Sequence, residues 1–516
     1  MKISSLFLCL AALTLLTKPG AGQSSVVPIT GGRISGTTNA KGDVRIYRGI
    51  PFAAPPVGNL RWKAPQPVVP WSGVRACNAF GPSPMQGSPA PFSMWSAEFL
   101  IPKEPISEDC LYLNIWTAAR SATEKRPVLV WIYGGGFNSG GSAVPIYDGE
   151  STAQKGIVLV SINYRVGAFG FMAHPELTRE SGTNASGNYG LLDQIAALQW
   201  VRQNIAAFGG DPANVTIAGQ SAGSMSVSCL VASPLAKNLF NKAIAQSGAG
   251  VGRPYASLKT AEETGVKIMQ TLGAASLAEL RATPADEIQQ KAQGVRGPII
   301  DGYVLPASVT ELVTAGRQAN ISLLTGWNED EGLLPGPIKP AVEFRKQTEQ
   351  RYGPDATTLL QYYPAGTDAE ADQSQRNLGR DLTFGIQNYS WAMLEGGQGK
   401  TVYVYRFRRK LPATGQYASY GAFHTGEVAY AYDNLRFIDH QLRPLNATDA
   451  DLARIMATYW ANFIKTGNPN GQGLPQWPAF SPTGKQTMIL DMPAKAQPLP
   501  DAAALDFLSG LVGRQP

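Results

Sequence analysis

Val215-Thr216-Ile217-Ala218-Gly219-Gln220-Ser221-Ala222-Gly223 is the stretch on which the reading of the fold depends. Its first four residues form a short, largely apolar run of the kind that makes a strand, and a helical pattern begins at Ala222, so Ser221 falls at a strand-to-helix turn. A serine displayed as a nucleophile needs such a sharp turn. It also needs small residues two positions before and two after, so that neighbouring backbone passes without a Cβ clash. Gly219 and Gly223 hold those positions. The N-terminus of the following helix also favours negative charge developing beside Ser221. In a chain with 55 glycines the bare Gly-x-Ser-x-Gly pattern proves little, and its weight comes from this setting.

Outward from that turn, the chain between residues 111 and 250 alternates short apolar runs with helical patterns, as a mostly parallel sheet covered by helices does. Leu111 to Trp116 alternates, whereas Val128 to Tyr133 and Ile157 to Ile162 are continuous and suit central strands buried on both faces. Leu191, Ile195, Leu198, Val201 and Ile205 mark one face of a helix that ends before Gly209-Gly210-Asp211-Pro212. Lys242 to Gln246, Leu323 to Thr325 and Val402 to Phe407 extend the same sheet. Pro82 to Pro105 reads as a loop, and 255–320 and 336–400 read as helical insertions that wall a pocket or lie solvated on the surface. No composition break divides the sheet, so residues 23–516 are expected to form a single α/β domain.

The chain has 516 residues, 44% of them hydrophobic and 16% charged, which excludes a disordered protein and allows a large core. Met1-Lys2, an apolar run from Ile3 to Leu16 and Lys18 to Gly22 describe a signal peptide over residues 1–22, so a secreted or periplasmic protein is expected. Leu6-Phe7-Leu8 lacks the small residue that would make Cys9 a lipoprotein site. No later apolar stretch is long enough to span a membrane. Without Lys2 and Lys18, 42 basic residues face 38 acidic ones, a balance too mild for a nucleic-acid partner but compatible with weak attraction for anionic substrates. Cys77 and Cys110 could pair in an oxidising compartment, leaving Cys229 in the apolar run Val227 to Val231 as a buried, inert thiol.

A serine at neutral pH needs a base, and histidine is the natural one. The chain has three. His174 lies in a turn upstream of Ser221 and His440 in the polar Asp439-His440-Gln441. His424 lies in Gly421-Ala422-Phe423-His424-Thr425-Gly426-Glu427, a glycine-bounded loop after the 402–407 strand. In α/β hydrolases the chain order is serine, acid, histidine, so His424 fits best, with His440 next. The acid should fall between Ser221 and His424 at a strand end. Glu329, Asp330 and Glu331 cluster after Leu323-Leu324-Thr325-Gly326, and spacing does not choose among them. Tyr133-Gly134-Gly135-Gly136-Phe137 follows a central strand and exposes glycine amides that could hold an oxyanion. It lacks the lysine and Ser/Thr of a phosphate-cradling loop.

With these residues in view, the chain closely resembles the type-B carboxylesterase and cholinesterase family. The resembling segments run from Gly49 to Gly58, Ser107 to Asn114, Tyr133 to Phe137, Gly187 to Gln194, Phe208 to Pro212, Ser221 to Gly223 and Asp330 to Gly332, and end at His424. The resemblance implies an α/β-hydrolase fold with helical and loop insertions around the pocket. It implies a triad of Ser221, Glu331 and His424, with Gly135, Gly136 and Ala222 as oxyanion donors. It further implies a Cys77–Cys110 disulfide, an Arg61–Glu108 ion pair and a supporting place near the triad for Ser247. One residue departs from the family. Members commonly carry glutamate just before the nucleophile, where this chain has Gln220. A neutral amide removes the field that would favour cationic substrates, so choline esters are not expected and the chain resembles a microbial carboxylesterase. Trp95 reads as an ordinary loop aromatic.

The expected function is hydrolysis of a small-molecule carboxylic ester through an acyl-enzyme, by a monomer without metal or organic cofactor. An acyltransferase on the same triad and a non-catalytic ester-binding protein are the rival readings.

Overall fold

The computed structural model describes residues 26–333 and 336–512; the signal-peptide reading at 1–22 lies outside them. Eleven strands form the main sheet. From one edge to the other they are Thr37–Thr38, Arg45–Pro51, Tyr112–Thr117, Val158–Ile162, Arg126–Ile132, Gly210–Gln220, Lys242–Gln246, Ser322–Asn328, Val402–Phe407, Gln486–Leu490 and Lys495–Pro498. The seven from Val158–Ile162 to Gln486–Leu490 run parallel and the outer strands antiparallel, which makes the sheet mixed, with a parallel centre. Val128 to Ile132 and Val158 to Ile162 are buried throughout, as continuous apolar runs between two helical layers must be. Tyr112–Thr117 is also buried beyond its first residue despite its alternating pattern. The polar Asn114 is accommodated because its side chain accepts from Gly49 N at 2.9 Å and donates to Ser142 and Ser161 at 3.0 Å.

The strand order reverses around Arg126–Ile132, whose neighbours are the next two strands in the chain, Val158–Ile162 and Gly210–Gln220. Crevices at the carboxyl ends of strands at such a switch point are where open α/β sheets bind ligands. The glycine loop and Ser221 both emerge there. The helix over Tyr189–Asn204 buries Leu191, Ile195, Leu198 and Val201 as its periodicity requires, and Gly209, at φ +81°, turns the chain into the strand Gly210–Gln220. The insertions are helical, at Leu258–Thr271, Leu277–Ala282, Ala285–Lys291 and Val309–Thr314, and again from Ala341 to Gly397.

The Cys77–Cys110 disulfide is not formed: both are free, buried thiols. Cys77 Sγ faces the carbonyl of Gly49, and Cys110 lies beside Arg61, Glu108 and Arg165. Burial pushes the Cys77 thiol up to about 11 and that of Cys110 well above its ordinary range, so both stay protonated. The loop from Pro82 to Pro105 is held instead by pairing of Ser83–Pro84 with Ile106–Ser107. Arg443 also donates to Met94 O at 2.7 Å. The expected Arg61–Glu108 pair is present, with Arg61 Nε donating to Glu108 Oε2 at 2.7 Å. Cys229 is buried beside the Tyr255 hydroxyl, and burial pushes it up to about 11. Among the described residues no helix is long and apolar enough to cross a membrane.

Candidate active site

Ser221 takes φ +58° and ψ −125°, a strained conformation for a side-chain-bearing residue, and its N–H donates to Gln246 O at 2.9 Å. The flanking glycines are required by contact. A Cβ on Gly219 would stand 2.4 Å from the Gly223 backbone, and one on Gly223 would stand 2.1 Å from Ile132 O. The turn is therefore wedged between its own helix and the neighbouring strand end. The glycine loop lies against it, since a Cβ on Gly134 would meet Gln220 O at 2.7 Å and Ser221 Cβ at 2.9 Å.

That loop is fixed from below. Tyr133 and Tyr164 stack at 4.3 Å and exchange hydrogen bonds, each hydroxyl donating to the other's carbonyl. Gln86 bonds both the N–H and the carbonyl of Gly140. Gly135 and Gly136 have φ of +113° and +63°. Among the described residues no acceptor is bonded to the N–H groups of Gly135, Gly136 or Ala222. Three donors beside one serine are thus left for a ligand atom.

His424 is 3% exposed and its Nδ1 lies 2.8 Å from Glu331 Oε2. Glu331 is itself held by Asn328 N, which donates to its Oε1 at 2.7 Å. The three candidate acids therefore separate. Glu329 pairs with Arg406 and Arg380 at 3.1 and 3.2 Å, and Asp330 accepts from Ala422 N at 2.9 Å, bracing the histidine loop. Only Glu331 reaches the imidazole. The other histidines are elsewhere: His174 accepts from Glu176 N as a helix cap, and His440 is exposed.

Ser221 Oγ and His424 are not hydrogen-bonded in this conformation. The amide nitrogen of buried Gln220 lies 3.1 Å from His424 Nε2 and 3.3 Å from Nδ1. If Gln220 donates to Nε2, the proton of the neutral ring sits on Nδ1 facing Glu331, the tautomer a general base needs. Ser247 is buried with φ +53°, its N–H donates to Gly326 O at 2.8 Å, and its Oγ has no partner.

Three site residues had escaped sequence reasoning. Phe384, on a π-helical turn at Asp381–Gly385, stacks on the His424 ring at 4.3 Å and 11°. Trp95 is no ordinary loop aromatic, for it meets the same ring edge-on at 6.2 Å and donates to Thr425 Oγ1 at 3.1 Å. Glu427 is buried behind Glu331, accepting from Asn328 Nδ2 at 2.6 Å and Gln246 Nε2 at 3.1 Å. Burial and then the Glu331 charge push its carboxyl up to about 7. Its sequence signal was a lone acid in an otherwise apolar stretch, Val428 to Ala431 following it. Among the described residues no group of histidine, cysteine and acidic side chains could hold a metal.

Residues 23–508 match the model of a family described as the carboxylesterase family. The chain is 37% identical over 473 residues to fumonisin B1 esterase of Sphingopyxis macrogoltabida, covering 86% of this chain and 83% of that protein. It is 34% identical over 485 residues to para-nitrobenzyl esterase of Bacillus subtilis (strain 168), covering 89% and 93%. Among solved structures it superposes on PNB esterase with a TM-score of 0.81 at 32% identity, covering 94% of this chain and 99% of that one. The expected α/β-hydrolase fold is the fold observed.

Proposed function

We propose, from the premise that this chain belongs to the carboxylesterase family and is a carboxylic-ester hydrolase, that Ser221, His424 and Glu331 are its catalytic triad. The observation that carries the assignment is the convergence, at one strand-end crevice, of a strained serine, three unbonded N–H groups and a histidine oriented by a buried carboxylate. Ser221 Oγ, having exchanged with the Gln220 amide at Nε2, attacks the ester carbonyl carbon while His424 takes its proton. The N–H groups of Gly135, Gly136 and Ala222 hold the resulting oxyanion. Collapse breaks the bond to the alcohol oxygen, which receives the proton from His424. Water, deprotonated by the same nitrogen, then splits the acyl-enzyme and restores Ser221.

Relatives named for fumonisin B1 and para-nitrobenzyl esters support a small-molecule ester as substrate, and Gln220 beside the imidazole supports a neutral or mildly anionic one. The leader pattern at 1–22 supports export, and a monomer is the assembly we favour. Ser221→Ala should abolish hydrolysis of a short-chain aryl ester while the melting transition persists; retained turnover would overturn the triad. A marked preference for quaternary ammonium esters would overturn the substrate reading. Mass spectrometry of the exported chain, showing loss of about the first 22 residues, tests the leader.

A further inference from the structure

The chain Gly248 to Arg253 leads away from the nucleophile. Gly248 packs where a Cβ would lie 3.1 Å from Ser221 O, and the side chains of Asn388, Gln387, Ser228 and Thr310 hold the N–H groups of Gly248, Ala249, Gly250 and Gly252. A second arm, Gly294 to Ile299, is pressed onto the oxyanion loop. Gly297, at φ +100°, comes so close to Phe137 that a Cβ would lie 2.6 Å from its ring, and Phe137 directly follows Gly136. Between the two arms is a cavity of about 270 Å³ lined by Arg253, Tyr255, Thr260 and Arg296. Arg296 also lines an adjoining cavity of about 430 Å³ that reaches Asn138 of the oxyanion loop.

The charge in this space is of one sign. No aspartate or glutamate lines either cavity. Among the described residues neither guanidinium has an ion pair or a side-chain hydrogen bond, whereas Arg61, Arg165, Arg380, Arg406 and Arg409 each meet a carboxylate. Arg253 is partly buried and Arg296 exposed, and both offer unused donors to an anion, because a carboxylate placed there gains charge-assisted hydrogen bonds without displacing an existing partner. Both arms are tethered to the groups that surround the reacting carbonyl.

We infer that Arg253 and Arg296 form a subsite for an ionised carboxylate carried by the substrate, so that the preferred esters are anionic. The inference rests on Ser221 being the ester-cleaving nucleophile. It can be tested with two matched pairs of esters, one varying the acyl part (4-nitrophenyl hydrogen adipate against its methyl ester) and one the leaving group (4-acetoxybenzoate against 4-acetoxybenzamide). The wild-type protein should favour the charged member of at least one pair by about tenfold or more in kcat/KM at low salt. That preference should shrink in 0.5 M sodium chloride, fall towards one in the Arg253→Ala/Arg296→Ala variant, and recover in part with lysine at both positions. Because the readout is a ratio within one preparation, partial loss of folded protein does not imitate the result, and fluorophosphonate labelling of Ser221 confirms that the site has formed. No charge preference in either pair, or a preference that survives the double substitution, overturns the proposal. Failure of the wild-type protein to cleave any of the four esters sinks the reading of Ser221 itself, and the subsite with it.

Discussion

Replacing Glu427 by glutamine should remove a pH-dependent loss of stability that the wild-type protein carries. Glu427 is fully buried, and burial first, then the nearby Glu331 carboxylate, lifts its carboxyl from an ordinary 4.5 to about 7, against weaker opposing pulls from Asn328 and His424. The folded state therefore keeps a proton that the unfolded chain releases from about 4.5 upward. Its stabilising contribution is complete below that pH and is lost as the pH rises through about 7. At 1.36 kcal/mol per pH unit this loss is roughly 3 kcal/mol across the window. Glutamine cannot ionise, and any mismatch of its amide with Asn328 or Gln246 costs the same at both ends of the window, so it cancels in the comparison. Urea unfolding of both proteins at pH 4.5 and pH 8 should show the wild-type protein losing roughly 3 kcal/mol relative to Glu427→Gln between the two conditions. Parallel pH dependence in the two proteins would refute the reasoning, because it would mean that Glu427 ionises alike in the folded and unfolded states.

The remaining expectations concern the triad and its neighbours. Glu331→Gln should lower kcat by about 10³-fold or more with little change in KM, since the amide no longer holds the imidazole in the right tautomer or offsets its charge. Glu329→Gln should leave kcat within an order of magnitude and instead cost about 2 kcal/mol in a denaturant melt, as Arg380 and Arg406 lose a partner that is itself only partly buried. Gln220→Glu puts a carboxylate against His424, so the acid limb of the kcat/KM profile should move up by about one pH unit and cationic esters should gain; an unshifted limb would place the side chain elsewhere. Gly223→Ala drives a Cβ into Ile132 O and should reduce kcat/KM by at least about 100-fold, read together with fluorophosphonate labelling.

The centre of this fold was readable because of where its strands lie. Lys242–Gln246 and Val402–Phe407 have the ends that their apolar runs indicate, and each is buried along its whole length. The edges were not. Arg45–Pro51 mixes arginine and glycine with its apolar residues, and Lys495–Pro498 is mostly solvent-facing, so neither carries the signature of a buried strand. The same division runs through the site. Ser221 and the glycine loop stand next to strands, and His424 could be placed by chain order after Val402–Phe407. Trp95 meets Thr425 across 330 residues, and Phe384 reaches His424 from a π-helical turn. No local pattern encodes such contacts. The supposed disulfide shows the same limit: spacing allows two thiols to pair, but in the fold each stays a free, buried thiol.

The acid turn shows why spacing could not choose among its three carboxylates. The strand Ser322–Asn328 delivers them to different surroundings. Glu329 points to the arginine pair that ties this turn to Asp501 and, through Asp381, to the turn bearing Phe384. Asp330 grips the backbone that leads into His424, and Glu331 meets the ring itself. One turn thus braces the carboxylate, the loop and the aromatic face that together hold a single imidazole. Each brace ends on a different element, so a shift in any one moves the ring relative to Ser221, and a displacement of about 1 Å is enough to cost about 100-fold in rate. The buried charges around His424 therefore act as positioning devices first. Net stability is a weak reason to keep them, since desolvation consumes most of what such pairs gain.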